Sequence, residues 1–325
     1  MRAGWYERCG AADEVIAVGE APTPTAGPGE VLVRLHASGI NPSDYKRRAN
    51  VAAGIEFPRV IPHSDGAGVI AGVGEGVDGH RVGDRVWTFH AQWARPWGTA
   101  AEYVALPAAL VRPLPAPLGF EQGACLGIPA MTAHRCVFAN GPVDGATVYV
   151  PAAAGRVGAY AIQFAKRGGA RVIASAGSAE KRALARDLGA DLALDRDDPQ
   201  LGDRLLAETG GRGVDRVIEI DFPNNIAFDE RVVADGGGIA VYGAPPKPQA
   251  TLTLSPRRAR NLSIEFTFVY TLRPAIVERT CAGVIEAAPH LTHRIAGVIP
   301  LDELARAHRE AESQSGTGHM IVSIP

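Results

Sequence analysis

The sequence predicts an α/β protein in two parts, a β-rich domain and a domain built on a doubly wound parallel sheet. Its 325 residues exceed what a single hydrophobic core usually supports. The first third consists of short apolar runs separated by glycine and proline, which is typical of antiparallel β structure. After the proline-rich segment 112–118, helical patterns alternate with apolar runs that suit a parallel sheet. We therefore expect two domains.

The first part, residues 1–120, is expected to form a compact and largely antiparallel β domain. Three runs of strand-forming residues predict it: GEVLVRLHASGI from Gly29, GAGVIAGVGEG from Gly66 and HRVGDRVW from His80. The turn residues between these runs are too frequent for helices of ordinary length. The domain is expected to end at the proline-rich connection.

Residues 121–266 are expected to form the doubly wound sheet, because helical stretches separate most of the apolar runs. Six strands make a complete sheet of this type. The expected strands begin near Thr147, Arg171, Leu192, Arg216, Gly238 and Leu262.

The remaining residues, 267–325, are expected to return to the first domain. Their pattern predicts helices over 274–286 and 301–312, followed by a last strand over 319–324. Two half-domains facing one another across a cleft would hold a substrate where small-molecule pockets commonly form.

Composition and charge exclude several function classes. The formal net charge of −2 gives no general attraction to nucleic acid, although residues 257–260 are locally basic and are expected to form a surface patch. No apolar run is long enough to span a bilayer and the first residues lack a signal-peptide pattern, so we expect a cytoplasmic protein. The widely spaced cysteines predict reduced packing residues without disulfides or a zinc ribbon. They are Cys9, Cys125, Cys136 and Cys281.

The segment 147–178 reads as strand, tight turn, helix and second strand, the unit that dinucleotide-binding proteins build around a pyrophosphate. Small residues in the turn allow a ligand to approach the backbone, and the helix start offers N–H groups to phosphate. Ala152 occupies the place of the usual first glycine. The expected cofactor contacts here are Ala153, Gly155, Arg156, Val157 and Gly158.

The end of the second strand favours NADPH. NAD-preferring enzymes place an acid there to hold the ribose 2′-hydroxyl, and this chain has Ala176. A 2′-phosphate would find backbone, hydroxyl and positive charge around it without an opposing carboxylate. The expected contacts are Ser175, Gly177, Ser178, Lys181 and Arg196, with Arg182 beside them and Tyr242 and Gly243 at a later strand end. Asn224 and Asn225 are second-rank candidates.

Seven motifs together carry a resemblance that runs nearly from end to end: SGINPSDYKR from Ser38, IPHSDGAGVI from Ile61, GDRVW from Gly83, AAEYV from Ala100, GIPAMTAH from Gly127, AAAGRVG from Ala152, and GTGHMIV near the C-terminus. The chain resembles the zinc-independent quinone oxidoreductases of the medium-chain dehydrogenase/reductase superfamily, the group of zeta-crystallin. The resemblance implies a GroES-like catalytic domain split by a Rossmann NADP-binding domain. It also implies a homodimer, for which SIEFTFV from Ser263 would supply an edge strand.

The chain departs from that family's usual pattern at five positions. They are Ala152 and Arg156 in the phosphate turn, Arg196 where tyrosine is common, His319 where lysine is common, and Tyr45, which stands one place early.

The positions that bind zinc in the metal-using relatives carry other residues. Zinc requires thiolate, imidazole or carboxylate ligands converging on one ion. The resemblance places Asn41, Ser64 and Ile128 at the ligand positions. His63 is adjacent, but a single histidine beside Asp65 is more typical of hydrogen-bonded structure than of a ligand. We expect no metal.

A quinone is a suitable substrate without a metal, because it is already electron-poor and needs a correctly placed hydride donor. We expect Asn41 to donate an amide N–H to the substrate oxygen. The resemblance places this loop, including Pro42, and Thr132 beside the nicotinamide. Tyr45 is the third catalytic candidate, for stacking or proton supply, although packing at a domain edge is the commoner role of a tyrosine.

Other side chains near these candidates have structural alternatives. Asp44 is expected to cap a turn or helix at least as readily as it acts in catalysis. Trp87, Trp93 and Trp97 either rim the cleft or pack in the core.

Two alternatives to quinone reduction stay open. Reduction of an enone or enoyl double bond also needs no metal, but it requires a proton donor such as Tyr45 or water. A binding or structural role, as an RNA-binding or crystallin-like protein, belongs to another class, and the charge balance argues against it.

Overall fold

The computed structural model describes residues 1–243, 249–252, 254–313 and 317–325, apart from the side chain of Pro256. The strands in chain order are β1 (Arg2–Trp5), β2 (Ala17–Glu20), β3 (Glu30–Ile40), β4 (Asp65–Val73), β5 (Arg85–Thr88), β6 (Tyr103–Pro107), β7 (Val111–Pro113), β8 (Thr147–Val150), β9 (Arg171–Ala176), β10 (Leu192–Asp195), β11 (Val214–Glu219), β12 (Val233–Val241), β13 (Ser263–Phe266), β14 (Ile295–Pro300) and β15 (His319–Ser323).

The α-helices are α1 (Ala12–Val15), α2 (Pro42–Ala49), α3 (Phe120–Gly123), α4 (Met131–Phe138), α5 (Arg156–Arg167), α6 (Ala179–Asp187), α7 (Leu201–Glu208), α8 (Phe222–Val232), α9 (Leu254–Ala259), α10 (Pro274–Ala287) and α11 (Leu304–Glu312). None of the described helices is long and apolar enough to cross a membrane.

The chain divides into two compact units, Met1–Pro129 with Cys281–Pro325, and Ala130–Thr280. The boundaries expected at 120/121 and 266/267 lie earlier in the chain than those of the two units, which are at 129/130 and 280/281. At the first of them, the chain stays with the β-rich unit because α3 packs on β3 and β4.

The first unit is built around a sheet of order β14-β15-β3-β4-β5-β7, with β6 also paired to β3. Its pairs are antiparallel except β14 with β15. Alternate residues of β3, including Val31, Val33 and Leu35, point into its hydrophobic core. The predicted β-rich, largely antiparallel domain is confirmed. The run from His80 becomes a strand only at Arg85, because Gly83 has a positive φ of 95° and forms a turn.

The second unit contains a parallel sheet of order β10-β9-β8-β11-β12-β13. The predicted doubly wound sheet is confirmed. The strand order reverses between β8 and β11, and α/β sheets bind ligands at the carboxyl ends of their strands next to such a reversal. The turn after β8 lies at this position.

Candidate active site

The turn between β8 and α5 adopts the backbone of a glycine-rich turn without its first glycine. Ala152 has a φ of 51°, in the left-handed region that favours glycine. The amide of Gly155 donates to the carbonyl of Ala152 at 2.9 Å, and the amide of Ala153 donates to Ser175 at 3.2 Å. The turn is therefore closed on itself and tied to β9.

Two glycines let α5 start close to this turn. A Cβ at Gly158 would lie 2.5 Å from the Ala152 carbonyl oxygen, and one at Gly155 would lie 3.2 Å from it. Gly155 is exposed while Ala161 and Phe164 pack inside the unit. The exposed helix start therefore fits a phosphate, because the N–H groups of a first helical turn have no partner within the helix.

The end of β9 carries three cations, as expected, but it also carries two carboxylates. Arg182 pairs with Asp195 at 2.9 Å, and Arg196 pairs with Asp197 at 3.2 Å. The expectation of no opposing carboxylate was wrong, because β10 ends beside β9 and brings these acids with it. With Lys181 counted, one positive charge remains in excess.

The hydroxyl groups expected at this phosphate site are partly engaged. Ser175 is fully buried, and its hydroxyl lies 2.8 Å from that of Tyr149. Ser178 is the N-cap of α6 and accepts from the Lys181 amide at 3.2 Å. The guanidinium of Arg196 lies over Gly177, where a Cβ would be 2.8 Å from Nη2. Arg196 is exposed, so a ligand can reach its guanidinium group.

The ends of β11 and β12 form a second cluster. The Tyr242 amide donates to the Glu219 carbonyl at 2.9 Å, and Gly243 lies so close to the Ile220 carbonyl that a side chain would collide. Asn225 donates to the Glu219 carboxylate at 3.0 Å. Asn224 donates to Asp221 at the start of α8.

Glu219 is one half of a buried acid pair that the sequence interpretation missed. It is 1% exposed and Asp229 of α8 is 0% exposed. Burial, followed by the charge of Glu219, raises the pKa of Asp229 to about 9. Neither oxygen of Asp229 has a hydrogen-bond donor among the described residues while both acids are ionised. One proton shared between the two carboxyl groups removes one of the two buried charges and gives Asp229 a hydrogen bond to Glu219.

In the first unit, Asn41 is the N-cap of α2 and is 2% exposed. Pro42 occupies the first helical turn. The backbone N–H of Asn41 donates to Oδ2 of Asp44 at 2.7 Å. This contact confirms the capping role predicted for Asp44. The backbone of Asn41 is therefore fixed by the helix that follows it.

The side chain of Asn41 is held by Asp65. Its Nδ2 donates to Oδ2 of Asp65 at 2.7 Å, and the Ile128 amide donates to the same oxygen at 2.8 Å. Asp65 is 1% exposed, and burial raises the pKa of its carboxyl group well above the ordinary value. The sequence interpretation gave Asp65 no function. The signal that could have identified it is an acidic residue at the start of a strand whose residues are buried.

His63 is hydrogen-bonded structure, as expected. It is fully buried with a φ of 78°. Its Nδ1 lies 2.8 Å from the Ser38 hydroxyl, and its Nε2 lies 3.0 Å from Nε2 of His308. This histidine pair was not anticipated, because His308 follows 245 residues later in the chain.

The other expected side chains are mainly buried. Tyr45 is 6% exposed and belongs to the core of the first unit. Thr132 lies in α4 of the second unit and is also 6% exposed. Trp87 is fully buried, whereas Trp93 stacks under Arg47 at 5.2 Å and Trp97 packs on the core.

The residues at the zinc-ligand positions of the resemblance do not fit a zinc ion. Asn41 and Ile128 present N–H groups, which do not bind a cation, and both donate to Oδ2 of Asp65. Ser64 adds a hydroxyl group, which is a poor zinc ligand beside thiolate or imidazole. Across the described ranges there is no cluster of three or more His, Cys, Asp or Glu side chains that suits a metal.

The sequence matches two known families. Residues 27–116 match the alcohol dehydrogenase GroES-like domain, and residues 157–286 match the zinc-binding dehydrogenases. The quinone oxidoreductase of Rattus norvegicus is 30% identical over 302 residues, which cover 91% of this chain and 89% of the relative. The chain belongs to the quinone oxidoreductases of the medium-chain dehydrogenase/reductase superfamily. The predicted GroES-like and Rossmann domains are those of this superfamily.

Two solved structures extend the comparison over the whole chain. An NAD-dependent alcohol dehydrogenase has a TM-score of 0.88 and 31% identity, with full coverage of both chains. A mycobacterial protein complexed with NADPH has a TM-score of 0.85 and 27% identity, covering 99% of this chain and 100% of its own. This chain is an NAD(P)H-dependent oxidoreductase of the superfamily.

Proposed function

We propose that the protein is an NADPH-dependent quinone reductase that works without zinc. The observation that carries the proposal is the pair formed by Asn41 and Asp65. The resemblance puts Asn41 at a position where zinc-using relatives bind their metal, and its amide is oriented by Asp65, so in this proposal the substrate oxygen meets an N–H donor in place of a Lewis acid. Such help is modest, and it suits an acceptor that is already electron-poor.

The second unit provides the dinucleotide contacts in this proposal. The start of α5, with Gly155, Arg156 and Val157, binds the pyrophosphate, while Ala153 and Gly158 allow the close approach. Tyr242 and Gly243 at the end of β12, and Thr132, contribute towards the nicotinamide. The cofactor supplies a hydride when it is bound.

NADPH is preferred over NADH in the proposal because of the residues around Ala176. No acidic side chain occupies the last position of β9, and Arg196 and Lys181 are exposed beside Gly177 and Ser178. Arg196 can exchange its surface ion pair with Asp197 for a 2′-phosphate, since exposed ion pairs contribute little to stability. Ser175 of β9 contributes through its carbonyl, which accepts from the Ala153 amide and ties the turn to the strand.

Asn41 is the proposed catalytic residue. Its Nδ2 has one partner among the described residues, so the second amide hydrogen is available to the oxygen that gains negative charge. Hydride addition and uptake of one proton convert the quinone to the hydroquinone. Tyr45 is left with a packing role, because its side chain lies in the core cluster.

We also propose a homodimer formed through β13. This strand is the edge of the parallel sheet, and Phe266 and Phe268 beside that edge are 70% and 51% exposed. A light-scattering mass of two chains that falls to one chain in Phe266→Asp would support this assembly.

An RNA-binding role is disfavoured, because Arg257 and Arg260 are paired with Glu230 and Asp235.

The experiment that tests the function is cofactor oxidation by the purified protein. NADPH and NADH are each compared with an ortho-quinone, a para-quinone and a short enone. Faster turnover of NADPH with the quinones supports the proposal. Preference for the enone would assign double-bond reduction instead, and no oxidation of either cofactor would overturn the proposed reaction.

A further inference from the structure

We propose that Asp65 is a positioning residue for catalysis, which orients the amide of Asn41 and does so as a neutral carboxylic acid. The inference rests on the proposed function, because it assigns Asp65 an effect on the reaction through Asn41. Asp65 itself touches neither substrate nor cofactor in this account.

The geometry gives the Asp65 carboxyl group control over Asn41. An asparagine side chain can rotate by half a turn and exchange its oxygen for its NH2 group with little change in shape. Oδ2 of Asp65 lies 2.7 Å from Nδ2 of Asn41 and accepts its hydrogen, so the rotated amide would face one acceptor with another. With the acid proton on Oδ1, Oδ2 can only accept, and it therefore favours the orientation in which Nδ2 of Asn41 faces it.

Asp65 is itself held on several sides. Its backbone carbonyl accepts from the Thr99 hydroxyl at 2.6 Å, and its Oδ2 accepts from the Ile128 amide at 2.8 Å. A Cβ added at Gly127 would collide with the carboxyl group, and one added at Gly39 would lie 3.5 Å from Cβ of Asp65. A group packed this closely transmits its position to the amide it binds.

The same contacts assign the proton. Oδ2 accepts two N–H bonds, whereas Oδ1 is buried and has no partner among the described residues. An ionised carboxylate would leave a charged oxygen buried and unpaired, with the carboxylate of Asp44 nearby. Protonation of Oδ1 removes this charge, while Oδ2 keeps both of its bonds as a carbonyl oxygen.

The neutral state matters for the proposed reaction. Negative charge develops on the substrate oxygen that Asn41 contacts, and an ionised Asp65 on the other side of the amide would oppose it. A neutral acid orients the amide without this repulsion. Asp65→Asn should therefore reproduce the wild type, because its Oδ1 can accept both N–H bonds in the same shape.

The test is a double-mutant cycle on kcat for quinone reduction, with Asp65→Ala, Asn41→Ala and the double variant. Loss of a group that orients a catalytic residue commonly costs about 10–100-fold, so Asp65→Ala should lose that much kcat. The double variant should be no slower than the slower single variant, since Asp65 acts through Asn41.

Asp65→Asn should keep kcat within about threefold of the wild type and keep the wild-type pH profile. The matched control is Asp302→Asn, an exposed acid of the same unit, which should match the wild type.

Two results would overturn the inference. Independent losses that multiply in the double variant would show that Asp65 does not act through Asn41. A loss in Asp65→Asn equal to that in Asp65→Ala would show that the wild-type group works as an anion.

A second measurement on the wild-type protein does not depend on turnover or on the folding of Asp65→Ala. Hydrogen exchange of the Asn41 side-chain NH2, followed by NMR, should be slow in the wild type and in Asp65→Asn. Exchange as fast as that of an exposed asparagine would overturn the positioning claim. If the wild type reduces no quinone but this NH2 is protected, the proposed function fails while the orientation of Asn41 by Asp65 stands.

Discussion

Nε2 of His63 lies 3.0 Å from Nε2 of His308, and both side chains are 0% exposed. The neighbouring contacts define which atoms carry hydrogen. The Asp65 carbonyl can only accept, so the Thr99 hydroxyl donates to it, at 2.6 Å. The Ser38 hydroxyl, 2.7 Å from that of Thr99, must donate there and accept from Nδ1–H of His63. Nε2 of His63 is then the acceptor, and His308 donates to it.

This order of protons requires His63 to be neutral, and the burial of His308 without a partner for Nδ1 favours a neutral ring there as well. In the neutral ring Nδ1 of His308 carries no hydrogen, and it has no partner among the described residues. Burial lowers the pKa of His63 to about 3, and burial, with the charges of His63 and Arg48, lowers the pKa of His308 well below its ordinary value. The pair is therefore sensitive to acid.

We expect His308→Gln to reduce the loss of stability on acidification. In the unfolded chain the histidine takes up a proton below its ordinary pKa of 6.5, whereas the folded state resists this. Its contribution to stability is complete above pH 6.5 and falls by about 1.4 kcal/mol per pH unit below it. Urea unfolding from neutral to mildly acidic pH measures the slope. His290→Gln, at an exposed position, is the control, and equal slopes in all three proteins would contradict the prediction.

Asp229→Asn should stabilise the second unit at alkaline pH. Because the folded-state pKa of Asp229 is raised from 3.8 to about 9, the folded protein holds a proton that the unfolded chain releases. The stabilisation that this bound proton gives the folded protein is complete below pH 3.8 and is lost as the pH rises towards 9. The amide introduced by Asp229→Asn donates to Glu219 at any pH. The free energy of unfolding is measured at mildly acidic and mildly alkaline pH. A gain that does not grow with pH would show that the acids share no proton.

Ala152→Gly should stabilise the protein by about 0.5–1 kcal/mol, since the left-handed backbone costs alanine about 1–2 kcal/mol and glycine loses part of this gain in the unfolded state. Ala154→Gly, in the same turn but without a positive φ, should destabilise it. Thermal unfolding of both variants measures the difference. Equal losses would show that the turn does not strain Ala152.

Arg196→Ala should raise KM for NADPH about tenfold, the loss of one charge-assisted hydrogen bond, and should leave KM for NADH unchanged. Arg204→Ala is the control, because Arg204 is an exposed arginine of the same unit and pairs with Asp198. Steady-state kinetics with each cofactor measure the effect. A similar change for both cofactors would remove Arg196 from 2′-phosphate recognition.

Tyr45→Phe should leave kcat for quinone within about twofold of the wild type, because its side chain is buried in the core and a proton can come from water. A large loss of kcat with an unchanged KM would restore Tyr45 as a proton donor.

The arrangement of the sheets could be predicted from the sequence because strand and turn signals are local. The apolar run at Val148 and the small residues after it predicted both β8 and the phosphate turn. The left-handed φ of Ala152 could be suspected from the missing glycine.

Two of the buried polar clusters could not be predicted, since they join distant parts of the chain. Asp65 contacts Ile128 and Asn41, and His63 contacts His308. The carboxylate beside Arg182 was overlooked because the pairing of β9 with β10 brings Asp195 to this strand end. Such partners are defined by strand order, which motifs do not specify. The carboxylate beside Arg196 is that of the next residue, Asp197, and could have been read from the sequence.

The most direct test of the account is the rate of NADPH oxidation by a quinone in the wild type and in Asn41→Ala. We expect the wild type to turn over and the variant to lose about 10²–10³-fold in kcat, as for removal of one oxyanion donor. A variant as active as the wild type would contradict the account, because the amide at this position would then have no part in the reaction.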